Sequence, residues 1–222
     1  SPGIAAARVV AVAMEPRPQG TGGMSTQIAV LKVTLDGVKP TVMRRFVVPL
    51  TIRLDRLHLV LQAAIGWTNS HLYEITTRGV GWGIPDADFG DGPLDARKAR
   101  LIDVLEDCGV KTLKYLYDFG DGWEHTVKVE RIENAIPGLT SPFLVDAVGR
   151  CPPEDVGGPS GYEDFLEIMS NAAHDSYEET RRWIGNDFDP RTADLTQLSH
   201  AVDALATKWS RTATSRKTRS RI

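Results

Sequence analysis

Two runs of strict alternation on either side of Gly120-Asp121-Gly122 constrain this chain more than any other feature in it. Leu113, Tyr115 and Tyr117 recur at every second position before the turn. Trp123, His125, Val127 and Val129 do the same after it. A period of two places each set on one face of a strand. The glycines supply the positive-φ positions that a tight hairpin needs. A β-hairpin carrying an aromatic face is therefore the first element to expect.

The remaining patterns arrange themselves around it. Ala29, Leu31, Val33 and Leu35 alternate with Lys32 and Thr34 as a half-buried strand. Val42 to Val48 returns as a second strand after Gly37 and Pro40, and stops at Pro49. The period then changes: Leu54, Leu57, Leu61, Ala64 and Ile65 form one helical stripe that Gly66 ends. A third strand is expected at His71–Thr77, a Gly/Pro/Asp-dense loop at Gly79–Asp95, and a short helix at Arg100–Glu106 closing near Gly109. Asn134–Gly161 reads as a long irregular stretch. Three helical patterns follow, marked by Tyr162/Phe165/Leu166/Met169, by Tyr177/Arg181/Ile184, and by Leu195/Leu198/Val202/Leu205/Trp209. Early strands and late helices predict an α+β fold with a mainly antiparallel sheet, the C-terminal helices following the sheet.

Composition narrows the class. With 41% hydrophobic and 25% charged residues over 222 positions, the chain suits one globular domain, expected at 25–206. Residues 1–24 carry no periodic pattern and are expected to be a disordered leader, with Met24 marking the natural start. No apolar stretch reaches the length of a membrane span. The two cysteines, Cys108 and Cys151, have no C-x-x-C spacing and fit a reducing compartment, so a cytoplasmic protein is expected. The net charge of −3 conceals an asymmetry. Residues 207–222 hold Lys208, Arg211, Arg216, Lys217, Arg219 and Arg221 and no acid, which leaves 20 basic against 29 acidic residues elsewhere. This basic tail, expected to be disordered, is the one segment that attracts nucleic acid electrostatically, and any such contact would be weak and non-specific.

Several ordered strings resemble the plasmid pRiA4b ORF-3-like family. They are Lys39-Pro40 leading to Arg44-Arg45, Leu57-His58 with Gln62, Gly66-Trp67 and His71-Leu72. Tyr115–His125 (YLYDFGDGWEH) and Cys151–Gly158 (CPPEDVGG) complete the set. The likeness runs from about Ile28 to Pro190. Met43 departs from it, standing where the family usually carries a bulkier aromatic residue. The resemblance implies an α+β fold around an antiparallel sheet and a setting on plasmids and transposons, where some members are labelled passenger proteins. No serine-recombinase pattern is present, and the family supplies no catalytic residues to carry over.

Among polar residues the histidines are the most informative. His71 is expected to share a strand face with Tyr73 and Ile75, and His125 shares one with Trp123, Val127 and Val129. Both imidazoles should therefore turn toward the packed side. His58 and Gln62, four apart, border the stripe of the first helix. Two readings follow. In one, the histidines His58, His71 and His125 form a metal or acid–base cluster that Cys151, Glu154 or Asp155 completes. In the other, the histidines are hydrogen-bonded core residues, which the absence of H-x-x-x-H spacing favours. Asp118 and Asp121 are either paired carboxylates or, as the turn suggests, caps of their own backbone. Arg44 and Arg45 point to opposite faces. One should reach an interior carboxylate such as Asp118, in an ion pair or an anion site.

Three further strings are set aside. Asp86–Gly92 has Asp where a calcium loop needs glycine, and Asp187-Phe-Asp189-Pro190 lacks both turn glycine and distal glutamate. Gly157–Gly161 has no P-loop Lys-Ser/Thr and reads as a helix entry. The expectation is a mobile-element accessory or binding protein. The alternative is a metal-assisted hydrolase built on the His/Asp/Glu cluster, and a protein–protein adaptor is the third class. No cofactor is predicted beyond a divalent metal at that cluster, and no membrane partner. The Asp118–His125 hairpin and the Cys151–Gly158 loop are expected to pack together as the functional surface.

Overall fold

The computed structural model describes residues 26–85, 92–139, 141–185 and 188–219, with side chains through Arg211. The leader expected at 1–24, the string Asp86–Asp91, Asp187, Arg221 and the side chains of Arg216, Lys217 and Arg219 lie outside the described residues.

Eight strands form one sheet: β1 (Gln27–Leu35), β2 (Met43–Pro49), β3 (Tyr73–Thr77), β4 (Val80–Gly83), β5 (Leu94–Asp95), β6 (Thr112–Tyr117), β7 (Trp123–Asn134) and β8 (Phe143–Val148). The order is β5-β4-β3-β6-β7-β1-β2-β8. All pairings are antiparallel except β4 with β5. Among the described residues five helices accompany it: α1 (Leu54–Ile65), α2 (Leu101–Cys108), α3 (Gly158–Ser170), α4 (Tyr177–Ile184) and α5 (Leu195–Arg219). The fold is α+β, as the period-two and period-3.6 segments predict, with helices α3–α5 following the sheet.

The hairpin forms where alternation placed it. Leu113 pairs with Val127, Tyr115 with His125 and Tyr117 with Trp123, so the large residues of β6 and β7 stand side by side on the covered face. Against that face α1 lays Leu54, Leu57, Val60, Leu61 and Ala64, all fully buried. The helix ends at Gly66, whose φ of +95° lets its N–H return to the Gln62 carbonyl.

Strand β1 differs from its expected half-buried form. Ala29, Leu31 and Val33 enter the main core, while Ile28 and Val30 enter a second cluster with Val47 and Phe143 on the opposite face. A register shift against β7 falls between Val30 and Leu31. The second cluster needs Phe143, and β8 lies in the stretch expected to be irregular. Phe143–Val148 is a six-residue segment between Pro142 and Gly149, apolar except for Asp146, and it completes the sheet beside β2. Strands β4 and β5 likewise arise inside the expected loop, where Trp82 buries its ring.

Two other differences have local causes. Strand β3 begins at Tyr73 rather than His71, because the Tyr117 hydroxyl accepts the backbone N–H groups of Ser70 (2.9 Å) and His71 (3.3 Å) and holds them as a turn. Helix α5 continues to Arg219, where an irregular tail was expected from 207. Residues 207–219 contain no glycine or proline to stop it.

Candidate functional site: the hairpin–loop seam

The Cys151–Gly158 loop crosses the end of the β6–β7 hairpin and is fastened to it at successive points. The Trp67 indole N–H donates to the Pro152 carbonyl (2.9 Å). Glu154 accepts the Tyr117 hydroxyl on one oxygen (2.7 Å), and on the other the Thr68 N–H (2.8 Å) and Thr68 hydroxyl (2.6 Å). Asp121 accepts the Gly157 N–H (3.2 Å). At Gly158 the φ is +71°, and a Cβ there would collide with the Asp121 carbonyl oxygen. Only glycine allows that approach. Hairpin and loop do pack together.

In the seam between them stand His71, Asp118 and Asp155. His71 Nδ1 is 3.5 Å from Asp118 Oδ2, and its Nε2 is 3.1 Å from Asp155 Oδ1. The second distance suits a hydrogen bond but the angle does not, so Nε2 makes none among the described residues although it is out of solvent. One imidazole nitrogen and one oxygen from each aspartate lie within 4.8 Å of one another. Asp118 divides its carboxylate: Oδ1 accepts the N–H groups of Gly120 (3.0 Å) and Asp121 (3.4 Å), leaving Oδ2 for His71. It is both a turn cap and a seam carboxylate. Asp155 is held at a φ of +62° with its side chain 73% exposed, so the seam opens to solvent on that side. The Tyr117 hydroxyl is pushed up to about 12 by burial and by the adjacent Glu154 carboxylate, and serves as a neutral hydrogen-bonding post.

The other two histidines stand elsewhere. His58, Tyr115, Gln62 and Asn69 close a hydrogen-bond circuit. Gln62 Nε2 donates to the Tyr115 hydroxyl (2.8 Å), which donates to His58 Nδ1 (2.9 Å). His58 Nε2 donates to Asn69 Oδ1, and the Asn69 N–H returns to Gln62 Oε1 (3.1 Å). The His58 ring stacks on Tyr73 at 3.6 Å. Burial lowers its pKa to about 4, against the Asn69 bond, which raises it. His125 is 1% exposed. Its Nδ1 faces the carbonyls of Tyr115 (3.2 Å) and Trp123 (3.1 Å), so that nitrogen carries the proton. Burial lowers its pKa to about 4 as well.

Of the expected metal set, therefore, the structure brings His71 beside Asp118 and Asp155, with Glu154 adjacent but fully engaged. It places His58 and His125 in the core and Cys151 beneath the loop. Asp121 clamps the loop through the Gly157 N–H. Arg44 also corrects the expectation of an interior carboxylate. Among the described residues it meets only carbonyls and the Cys151 sulfur, while Arg45 on the opposite face binds Glu130 (2.8 and 3.1 Å) and Asp146 (3.2 Å). Tyr117 and Thr68, which hold Glu154, had no polar signal in the sequence beyond the alternation of β6 and the turn before β3.

No helix of the described residues is long and apolar enough to cross a membrane. The uncharacterised protein y4hQ of Sinorhizobium fredii is 57% identical to this chain over 191 residues, covering 86% of the chain and 98% of the relative. The crystal structure of MM3350, a protein of unknown function from Methanosarcina mazei Go1, superposes with a TM-score of 0.69 at 33% identity. It covers 78% of this chain and 98% of that one. The model of the family described as plasmid pRiA4b ORF-3-like protein matches residues 27–197, which take in the whole sheet, the seam and the start of α5. The chain belongs to the plasmid pRiA4b ORF-3-like family.

Proposed function

We propose that this protein is a cation-binding accessory protein of mobile elements, holding a divalent metal in the seam through His71, Asp118 and Asp155. The observation that carries the reading is the approach of one imidazole nitrogen and two carboxylate oxygens within 4.8 Å, with His71 Nε2 lacking a hydrogen bond. A mixed N/O donor set of this kind suits zinc or manganese. Three protein ligands leave coordination positions to water on the open, Asp155 side.

Binding is preferred to metal-assisted hydrolysis for a physical reason. A hydrolase needs a base beside the metal-bound water, and the neighbouring carboxylate, Glu154, spends both oxygens on Tyr117 and Thr68. Nucleic-acid contact through the basic tail belongs to the same proposal as an electrostatic tether, and rests on the charge of residues 207–222 alone.

Elemental analysis after dialysis against zinc or manganese tests the cation site. Stoichiometric metal is expected in the native protein. Asp155→Asn and His71→Ala should lose it while keeping their thermal midpoints. Metal retained in both variants, or never bound, removes the reading.

A further inference from the structure

On the far side of the same loop lies a second feature, independent of the seam. Arg44 projects inward from β2 and is 2% exposed. Its Nε donates to the Ala64 carbonyl at the end of α1 (2.7 Å), and Nη1 reaches the carbonyls of Met43 (2.8 Å), Val148 (2.9 Å) and Gly149 (2.9 Å). Nη2 has one partner, the Cys151 sulfur at 3.2 Å. A guanidinium carries five N–H donors, two of them on Nη2. One Nη2 hydrogen thus has no acceptor among the described residues, and no carboxylate there meets the charge. Burial holds the Cys151 thiol up to about 11, so the sulfur is a neutral partner.

A buried guanidinium without an anion is costly. Arg45, at the neighbouring position, faces two carboxylates, Glu130 of β7 and Asp146 of β8. Arg44 instead lines a cavity of about 380 Å³ between the Cys151–Glu154 loop, the end of α1 and the first turn of α5. Its walls mix apolar surface, from Trp67, Ile65, Leu198 and Phe188, with a second guanidinium, Arg150, stacked 4.7 Å over the Phe188 ring. Two carboxylates also border it, and both have internal work. Glu154 is held by Tyr117 and Thr68, and Asp194 accepts the Gln197 N–H (2.9 Å) as the cap of α5. The cavity opens to solvent past Thr192, Asp194 and Gln197, all exposed.

We propose that this cavity binds a small organic anion, its carboxylate or phosphate group on Arg44 and its apolar body against Trp67 and Leu198. The volume is at the small end of ligand pockets, and an apolar wall with one fixed charge at the floor is the usual way such pockets orient a ligand. Arg44 supplies its charge and the one remaining Nη2 N–H, which either group can accept.

Calorimetric titration of the full chain with phenyl phosphate and with phenylacetate tests the assignment, with benzyl alcohol as the uncharged control. Saturable binding of at least one of the two anions is expected, and none of the alcohol. Gln197→Trp, at an exposed position on the cavity mouth, should weaken it about tenfold or more without lowering the thermal midpoint. Arg44→Met should abolish it. Should that variant fail to fold, the Gln197→Trp result decides. No binding of either anion, binding of the alcohol as well, or anion binding unchanged in Gln197→Trp overturns the proposal.

Discussion

His125 and His71 lie on opposite sides of the same aromatic group, each within 6 Å of it through Trp67 or Tyr117, yet they face unlike surroundings. His125 points its protonated nitrogen at two backbone carbonyls and is surrounded by Tyr115, Trp67 and Trp123. No carboxylate touches it. His71, displaced from the strand into a turn, has a carboxylate at each nitrogen and a side chain 29% exposed. Burial fixes the first as a neutral structural group, while the second stands between two carboxylates.

Acid should break the first environment before anything else. His58 and His125 have folded pKa values lowered to about 4, below the roughly 6.5 of an unfolded chain. As pH falls the unfolded state takes up these protons first. The stabilising difference is whole above about pH 6.5 and drains away between there and about 4, on the order of 3 kcal/mol for each imidazole. Urea melts at about pH 7.5 and about pH 4.5 measure it. A stability that stays level across that interval would mean the imidazoles are not held neutral.

Next in size is Gly158→Ala. The new methyl must displace the Asp121 carbonyl and adopt a positive φ, so a loss of about 3 kcal/mol is expected. Chemical denaturation gives the value. A cost below about 1 kcal/mol would show that loop and hairpin separate easily.

Direct substitution sharpens the contrast. His125→Ala leaves a cavity in the aromatic core and should cost about 3 kcal/mol, whereas His71→Ala should cost under about 1 kcal/mol. Equal losses in thermal melts would erase the distinction between the two regions.

The smallest effect on stability belongs to the tail. Replacing Arg216, Lys217, Arg219 and Arg221 with serine should leave stability within about 0.5 kcal/mol and reduce binding to duplex DNA at low salt, read by fluorescence anisotropy. Undiminished binding would put the contact on the acidic body.

Much of this was legible in the chain. Alternation across Gly120–Gly122 located β6 and β7, the Leu54–Ile65 stripe located α1, and the strings around Trp67, Tyr117 and Glu154 marked the pieces of the seam. Three things were not. Strand β8 is a short segment, apolar except for Asp146, whose partner, β2, lies about a hundred residues away, so no local period distinguishes it. The position of His71 depends on the Tyr117 hydroxyl accepting two backbone N–H groups, a tertiary event that shortens β3. Alternation turned Arg44 and Arg45 to opposite faces without marking which of them enters the core. The carbonyl and sulfur partners of Arg44 come from α1, β8 and the Cys151 loop, which only the assembled fold brings together.

The central claim is that His71, and neither His58 nor His125, is the imidazole that meets a metal. Titrating the full chain with manganese while following the imidazole resonances by NMR tests it directly. The account predicts that the His71 signals broaden first and that Asp155→Asn suppresses the effect, with the His58 and His125 signals preserved. Broadening centred on His58 or His125, or none at any histidine, would contradict it.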